Sequence, residues 1–184
     1  MELNLKKNNF YLNIMQYTTE GNYSFINTLN SEINAVCVLK SDRINGIVYL
    51  KEYNGKTTFT GKILGLTPNK KHGFHIHEAG DLTDGCMSAC AHYNPYNKNH
   101  GDRLAGERHV GDLGNLEGDS NGECNFSFDD YLVKLSGDYS VIGRSLIIHE
   151  DEDDLGLGNE KDSLTTGHAG KRIVCGIIGY RKKC

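Results

Sequence analysis

The stretch Ala35–Leu64, AVCVLKSDRINGIVYLKEYNGKTTFTGKIL, decides the reading of the fold. Ala35-Val36-Cys37-Val38-Leu39 is a short apolar run closed by Lys40-Ser41-Asp42. Ile44 to Tyr53 follows and stops at Asn54-Gly55, a dipeptide suited to a tight hairpin turn because both residues tolerate positive φ. Thr57 to Leu64 then alternates and turns at Leu66-Thr67-Pro68-Asn69. Short strands separated by turn residues at this spacing predict an all-β protein, an antiparallel sandwich or barrel. Downstream, Cys124–Phe128, Leu132–Leu135, Ser145–His149 and Arg172–Tyr180 read as further strands. Cys124, Phe126 and Phe128 share one face of theirs, and that face is assigned to the core.

Composition narrows the class. The 184 residues suit one domain of ordinary size. The 22 glycines occur without a G-X-Y period, which excludes collagen and fits many tight turns. A net charge of -4 argues against a nucleic-acid partner. No apolar run approaches the roughly 18 residues of a membrane span. The N-terminal MELNLKKNNFYLNIMQ lacks the apolar stretch of a secretory signal, so a cytoplasmic protein is expected, in a host's cytoplasm if the abundant Asn marks a viral genome. Residues 1–34 are Asn-rich, without Cys or His, and are expected to form a flexible or loosely packed extension ahead of a domain spanning 35–184. A hairpin across Glu20-Gly21-Asn22 is compatible with the flanking YTT and YSF.

Two polar, Gly-rich stretches break the strand rhythm, one from Glu78 to around Gly114, the other from Glu150 to Lys171. Connections longer than about 12–15 residues are uncommon in compact domains unless functional or disordered. His92, His100, His109 and His168 fall within these two, which favours function. In His72-Gly73-Phe74-His75-Ile76-His77, a strand would project His75 and His77 together and Phe74 and Ile76 into a core. Two imidazoles side by side make half a metal site. His92, His100, His109 and Asp112 supply three imidazoles and a carboxylate, a complete tetrahedral set for zinc, closed to water and therefore structural. His149, at the end of Ser145–His149, can join His75 and His77; an all-imidazole set with an open position suits copper, which cycles between two oxidation states.

The segments HGFHIHE (72–78), AHYNP (91–95), HGD (100–102), ERHVGDLGN (107–115), GRSLIIHE (143–150) and GHAGKRIVCG (167–176), in that order, closely resemble the intracellular copper/zinc superoxide dismutases. The resemblance runs from Ala35 to Tyr180. It implies a Greek-key β-barrel with two long functional loops, one copper and one zinc per chain, and dismutation of superoxide to oxygen and hydrogen peroxide. It implies that His75, His77, His92 and His149 hold copper, that His92 also joins His100, His109 and Asp112 on zinc, and that Arg172 guides the anionic substrate. Asp153 matches a carboxylate linking a copper His to a zinc His. Cys86 and Cys175 match an intramolecular disulfide. A homodimer and a copper chaperone are the implied protein partners. A non-catalytic metal-binding relative, or a chaperone-like one, is the competing reading; the full copper set with Arg172 disfavours the first, and the absence of cysteine from residues 1–34 disfavours the second.

Other residues carry plainer expectations. His72 is read as a structural His bonded to backbone, and His168 as solvated. Cys37 and Cys124 are read as buried free thiols, and Cys184 as exposed. Cys90 and Ala91 depart from the family's usual small Gly and Pro, leaving Cys90 as a competitor for metal or for the disulfide. Ala79 replaces a bulky apolar residue of many members' dimer interface, which Gly143, Ile177, Gly179 and Tyr180 still resemble. Thr165 and Leu157 replace common lysines.

Overall fold

The computed structural model describes residues 13–17, 23–27 and 32–182. It divides into two units, Met1–Ser31 and Glu32–Cys184. In the first, β1 (Asn13–Tyr17) and β2 (Tyr23–Asn27) pair antiparallel with Tyr17 opposite Tyr23. The expected turn at Glu20-Gly21-Asn22 and the expected exposure of Cys184 lie outside the described residues.

The second unit is two antiparallel sheets. One has the order β11-β3-β4-β5-β8, from β3 (Ile33–Lys40), β4 (Asn45–Tyr53), β5 (Lys56–Leu64), β8 (Glu123–Asp130) and β11 (Gly179–Tyr180). The other has the order β10-β9-β6-β7, from β6 (Lys71–His77), β7 (Asp112–Glu117), β9 (Ser145–His149) and β10 (Arg172–Ile177). Chain order and sheet order differ because β5 to β6, β7 to β8 and β8 to β9 each cross between sheets, the Greek-key pattern. Alternation in the sequence sets the inner face. Ala35, Cys37, Leu39, Val48, Leu50, Phe59 and Ile63 meet Phe74, Ile76, Leu146, Ile148 and Val174 in one core. Cys124, Phe126 and Phe128 face it, with Phe59 and Phe128 stacked at 5.0 Å. The sheets close on each other where β10 crosses β3; a Cβ on Gly176 would meet the Val38 oxygen at 2.2 Å, so only glycine permits that approach.

Three segments differ from the sequence reading. Leu132–Leu135 is not a strand. Its backbone is satisfied by side chains instead: Leu132 N and Val133 N donate to Asp130 Oδ1, Leu135 N donates to Glu52 Oε2, and Thr57 Oγ1 donates to Val133 O. Val133 and Leu135, apolar and two residues apart, plug the core from a loop, which mimics strand alternation. Arg172–Tyr180 is two strands, not one. Ile178 is the corner, its N–H donating to Arg144 O and its carbonyl accepting from Gly143 N, so the chain leaves one sheet and joins the other. The end of the first long loop, from Asp112, is strand β7.

Replacing Leu135 with Ala removes a fully buried plug and is expected to cost about 2–5 kcal/mol. Urea unfolding of the metal-free chain checks this; a midpoint unchanged from the parent contradicts the plug.

Candidate metal centre

Strands β6 and β9 are buried on both faces, one against the core and one beneath the two long loops. His75 pairs with Ile147 and His77 with Ser145, and directly paired residues point the same way. His75, His77 and, two residues beyond Ile147, His149 therefore share the loop-covered face. A bulge between Gly73 and His75 shifts the β6–β7 register and places Asp112 opposite His75. The loops add the rest. Gly111 and Tyr93 exchange hydrogen bonds with the Ile76 peptide, holding His92 and His109 over β6.

Two clusters result, His75–His77–His92–His149 and His92–His100–His109–Asp112, each with ligand atoms within 4.8 Å of one another. All seven side chains are buried, and His92 belongs to both sets. The proton positions follow from the outer partners. His75 Nε2 donates to Asp153 Oδ2 at 2.8 Å, His77 Nδ1 to the Cys90 carbonyl at 2.8 Å, and His149 Nδ1 to the Gly170 carbonyl at 3.2 Å. His100 Nε2 donates to Asp153 Oδ1 at 2.8 Å. Each acceptor fixes its ring's N–H outward and turns a lone pair inward. His77 Nε2 and His149 Nε2 then face each other at 3.3 Å. His75 Nδ1, His92 Nε2 and His100 Nδ1 are buried without a hydrogen-bond partner. The Nδ1 atoms of His92, His100 and His109 all lie 2.9–3.1 Å from one oxygen, Asp112 Oδ1, and that of His100 lacks hydrogen-bond geometry. Converging buried lone pairs of this kind are costly unless a cation takes them. The donor sets fit the two metals: four imidazoles on one side, three imidazoles and a carboxylate on the other.

Asp153, 1 % exposed, joins the clusters from outside through His75 and His100. Gly167 makes room for it: φ is +64°, and a Cβ there would stand 1.9 Å from Asp153 Oδ1. Asn115 Oδ1 accepts from Asp153 N and its Nδ2 donates to Asp153 O, a double clamp that sequence reading missed. Cys86 and Cys175 form the disulfide, tying the short 3-10 turn Gly85–Ala89 to β10. Arg172, on the same strand, donates to the carbonyls of Cys86, Met87 and Cys90. Cys90 is a free, exposed thiol at φ +63°, ψ -151°, a region that favours glycine, and nothing in the structure explains the cysteine there. His72 bonds only backbone, its Nδ1 donating to His149 O and its Nε2 accepting from Thr67 N. His168 is exposed and pairs with Asp162. Cys37 and Cys124 are buried and free, and burial pushes the Cys37 thiol up to about 12.

Electrostatics in the metal-free chain follow from burial. Burial, reinforced by neighbouring imidazoles, holds His75 and His77 well below the ordinary value of 6.5. Burial also lowers His92, against the pull of Asp112, and brings His149 down to about 4. For His100 burial is outweighed by Asp112 and Asp153, which raise it to about 9. Burial likewise opposes ionisation of Asp112, but its three imidazole partners hold it well below the carboxylate range. As pH falls from 6.5 to 4 the unfolded chain binds protons at His149 that the folded chain refuses, and the same sign holds for His75, His77 and His92. His149 alone contributes roughly 3 kcal/mol that is lost across this window. His100 has the opposite sign; its stabilisation is present below 6.5 and lost as pH rises through about 9. Urea titrations of the metal-free chain are expected to show stability falling from neutral pH to pH 4 with net proton uptake on unfolding, and a flat profile contradicts the buried neutral imidazoles.

Comparison with known proteins agrees with this geometry. Residues 44–178 match the family described as copper/zinc superoxide dismutase. A "Superoxide dismutase [Cu-Zn]" of Paramecium bursaria Chlorella virus 1 is 49% identical over 166 residues, 90% of this chain and 88% of that protein. An "Extracellular superoxide dismutase [Cu-Zn]" of Brugia pahangi is 49% identical over 82% of this chain and 78% of its own. The crystal structure of the clock protein EA4 superposes with a TM-score of 0.79 at 42% identity, covering 80% of this chain and 94% of that one. With the all-β fold and the buried imidazole clusters, these matches establish that the chain belongs to the copper/zinc superoxide dismutase family.

Proposed function

We infer that the chain dismutes superoxide to oxygen and hydrogen peroxide, and the observation that carries this is the pair of buried clusters joined at His92. In this reading His75, His77, His92 and His149 hold copper, and His92, His100, His109 and Asp112 hold zinc. Copper held by these four imidazoles would supply one-electron redox chemistry. Every other task falls to side chains. Asp153 keeps His75 and His100 in the tautomers that present lone pairs inward. His92 Nε2, buried and otherwise without a partner, would hold a proton destined for the peroxide whenever it is not bound to copper. Arg172, carried by β10 beside His149, attracts the anion. Its charge is needed locally because the chain carries -4 overall.

Residues 35–184 form the catalytic domain in this reading, with residues 1–34 an extension. A homodimer is supported by the exposure of Ile177 and Tyr180, which flank Ile178, the residue whose carbonyl accepts from Gly143 N. A copper chaperone and a cytoplasmic location complete the proposal; no helix among the described residues is long and apolar enough to cross a membrane.

Superoxide decay with the copper- and zinc-loaded protein is the decisive experiment. His149→Ala is expected to abolish turnover and keep zinc, whereas Asp112→Ala loses zinc and stability, both read by elemental analysis. Zinc lost from the first or normal in the second overturns the assignment. A charge about 5 Å from the anion at an effective dielectric of about 20 is worth about 3 kcal/mol at most, so Arg172→Ala is expected to slow the reaction about tenfold or more. Pulse radiolysis across a salt series checks this, and an unchanged rate puts the guiding charge elsewhere.

A further inference from the structure

Arg108 precedes His109 and is buried, its side chain 3% exposed, yet no ligand role uses it. Its Nη1 donates to the carbonyls of His109, Val110 and Asp112 at 3.1, 3.3 and 2.9 Å. Its Nη2 donates to Asp130 Oδ2 at 2.6 Å. Two of the three carbonyls belong to residues whose side chains complete the His92–His100–His109–Asp112 cluster. The turn from His109 to Asp112 is thus wound around one guanidinium, and Asp130 at the end of β8 moors that guanidinium to the opposite sheet.

Carbonyl oxygens turned towards one point repel each other unless a cation with several donors lies among them. A guanidinium does this with a planar fork of fixed geometry; an ammonium is a compact charge on a flexible stem and cannot span the same acceptors. The consequence lies on the other side of the turn. With these peptides fixed, His109 Nδ1 and Asp112 Oδ1 face the same point, and His109 N donates to Asp112 Oδ2 at 2.8 Å to hold the carboxylate's rotation.

We propose that Arg108 is a positioning residue for zinc: it shapes the His109–Asp112 turn so that two of the four zinc ligands are preset before the ion arrives. The proposal rests on the assignment of that cluster to zinc.

The test compares the parent with Arg108→Lys. Zinc and copper dissociation constants are measured by chelator competition, and melting temperatures are recorded for the metal-free and zinc-loaded forms. Loss of groups that orient metal ligands weakens binding about ten- to hundredfold, and that loss is expected for zinc, with copper changed far less. The zinc-induced rise in melting temperature shrinks accordingly, because linked stabilisation follows the dissociation constant. A merely structural arginine lowers both melting temperatures together and leaves the zinc constant unchanged; that result overturns the proposal. If Arg108→Lys does not fold, Asp130→Asn serves, since it can still accept from Leu132 N and Val133 N while releasing the guanidinium's charged anchor. The same zinc-selective loss is expected, and an unchanged zinc constant again overturns the proposal. A parent chain that binds no zinc at the cluster overturns the zinc assignment itself, which separates the two failures.

Discussion

The architecture depends on keeping unprotonated imidazole nitrogens together in a place without water. Each ring would rather be solvated or protonated, and burial drives His75, His77, His92 and His149 towards their neutral forms. The fold meets this cost from outside. Carbonyls of Cys90 and Gly170 and the carboxylate of Asp153 accept the outward N–H groups, so the inward lone pairs are fixed by hydrogen bonds rather than by chance of rotamer. The loops cannot be shortened or loosened without releasing one of these acceptors. This is why these two long polar segments cannot be replaced by tight turns such as the one between β4 and β5.

Those loops have little apolar surface of their own, so they are held at a few strong points. Asp153 ties one loop to β6 and to His100 of the other, and Asn115 ties Asp153 to β7. The Cys86–Cys175 disulfide closes a separation of 89 residues. In the loop-entropy account that constraint is worth roughly 4 to 5 kcal/mol through the unfolded chain. Burial of ions is costly unless they are paired, and here each buried carboxylate has several donors: Asp112 meets two backbone N–H groups besides its imidazoles, and Asp130 meets Arg108 and two amides.

The strands with clean alternation or a hairpin signal were legible in the sequence, since period-two patterning directly reports which side is buried. The gathering of the histidines was legible in part: strand parity puts His75 and His77 on one face, while the grouping of His92, His100, His109 and Asp112 came from residue type and from the family resemblance, and the structure brings all of them into two buried clusters. Arg108, Asp130 and Asn115 were not legible. A charged or amide residue in a polar loop looks solvated until the fold supplies its partners, and those partners lie up to 38 residues away. Leu132–Leu135 misled for the converse reason. Alternation reports burial, not pairing, and Val133 and Leu135 are buried from a loop whose amides bond to Asp130 and Glu52. The role of Cys90 also emerges only in three dimensions. What the site uses is its carbonyl, shared by His77 and Arg172, while its side chain tolerates a backbone geometry better suited to glycine.

Two buried or half-buried arginines show how the partner, not the residue, decides what a charge does. Arg108 donates to carbonyls and also to a carboxylate at 2.6 Å, so its charge is cancelled where it lies and only its shape is used. Arg172 is held by three carbonyls of the disulfide-bonded turn and its neighbour Cys90. Carbonyl dipoles fix the guanidinium's position without neutralising it. A carboxylate in their place would orient the group equally well and extinguish its attraction for an anion, which the proposed role of Arg172 requires in a chain of net charge -4. Holding Arg172 by neutral acceptors is therefore what would let a rigid turn also serve the anion guidance proposed for it.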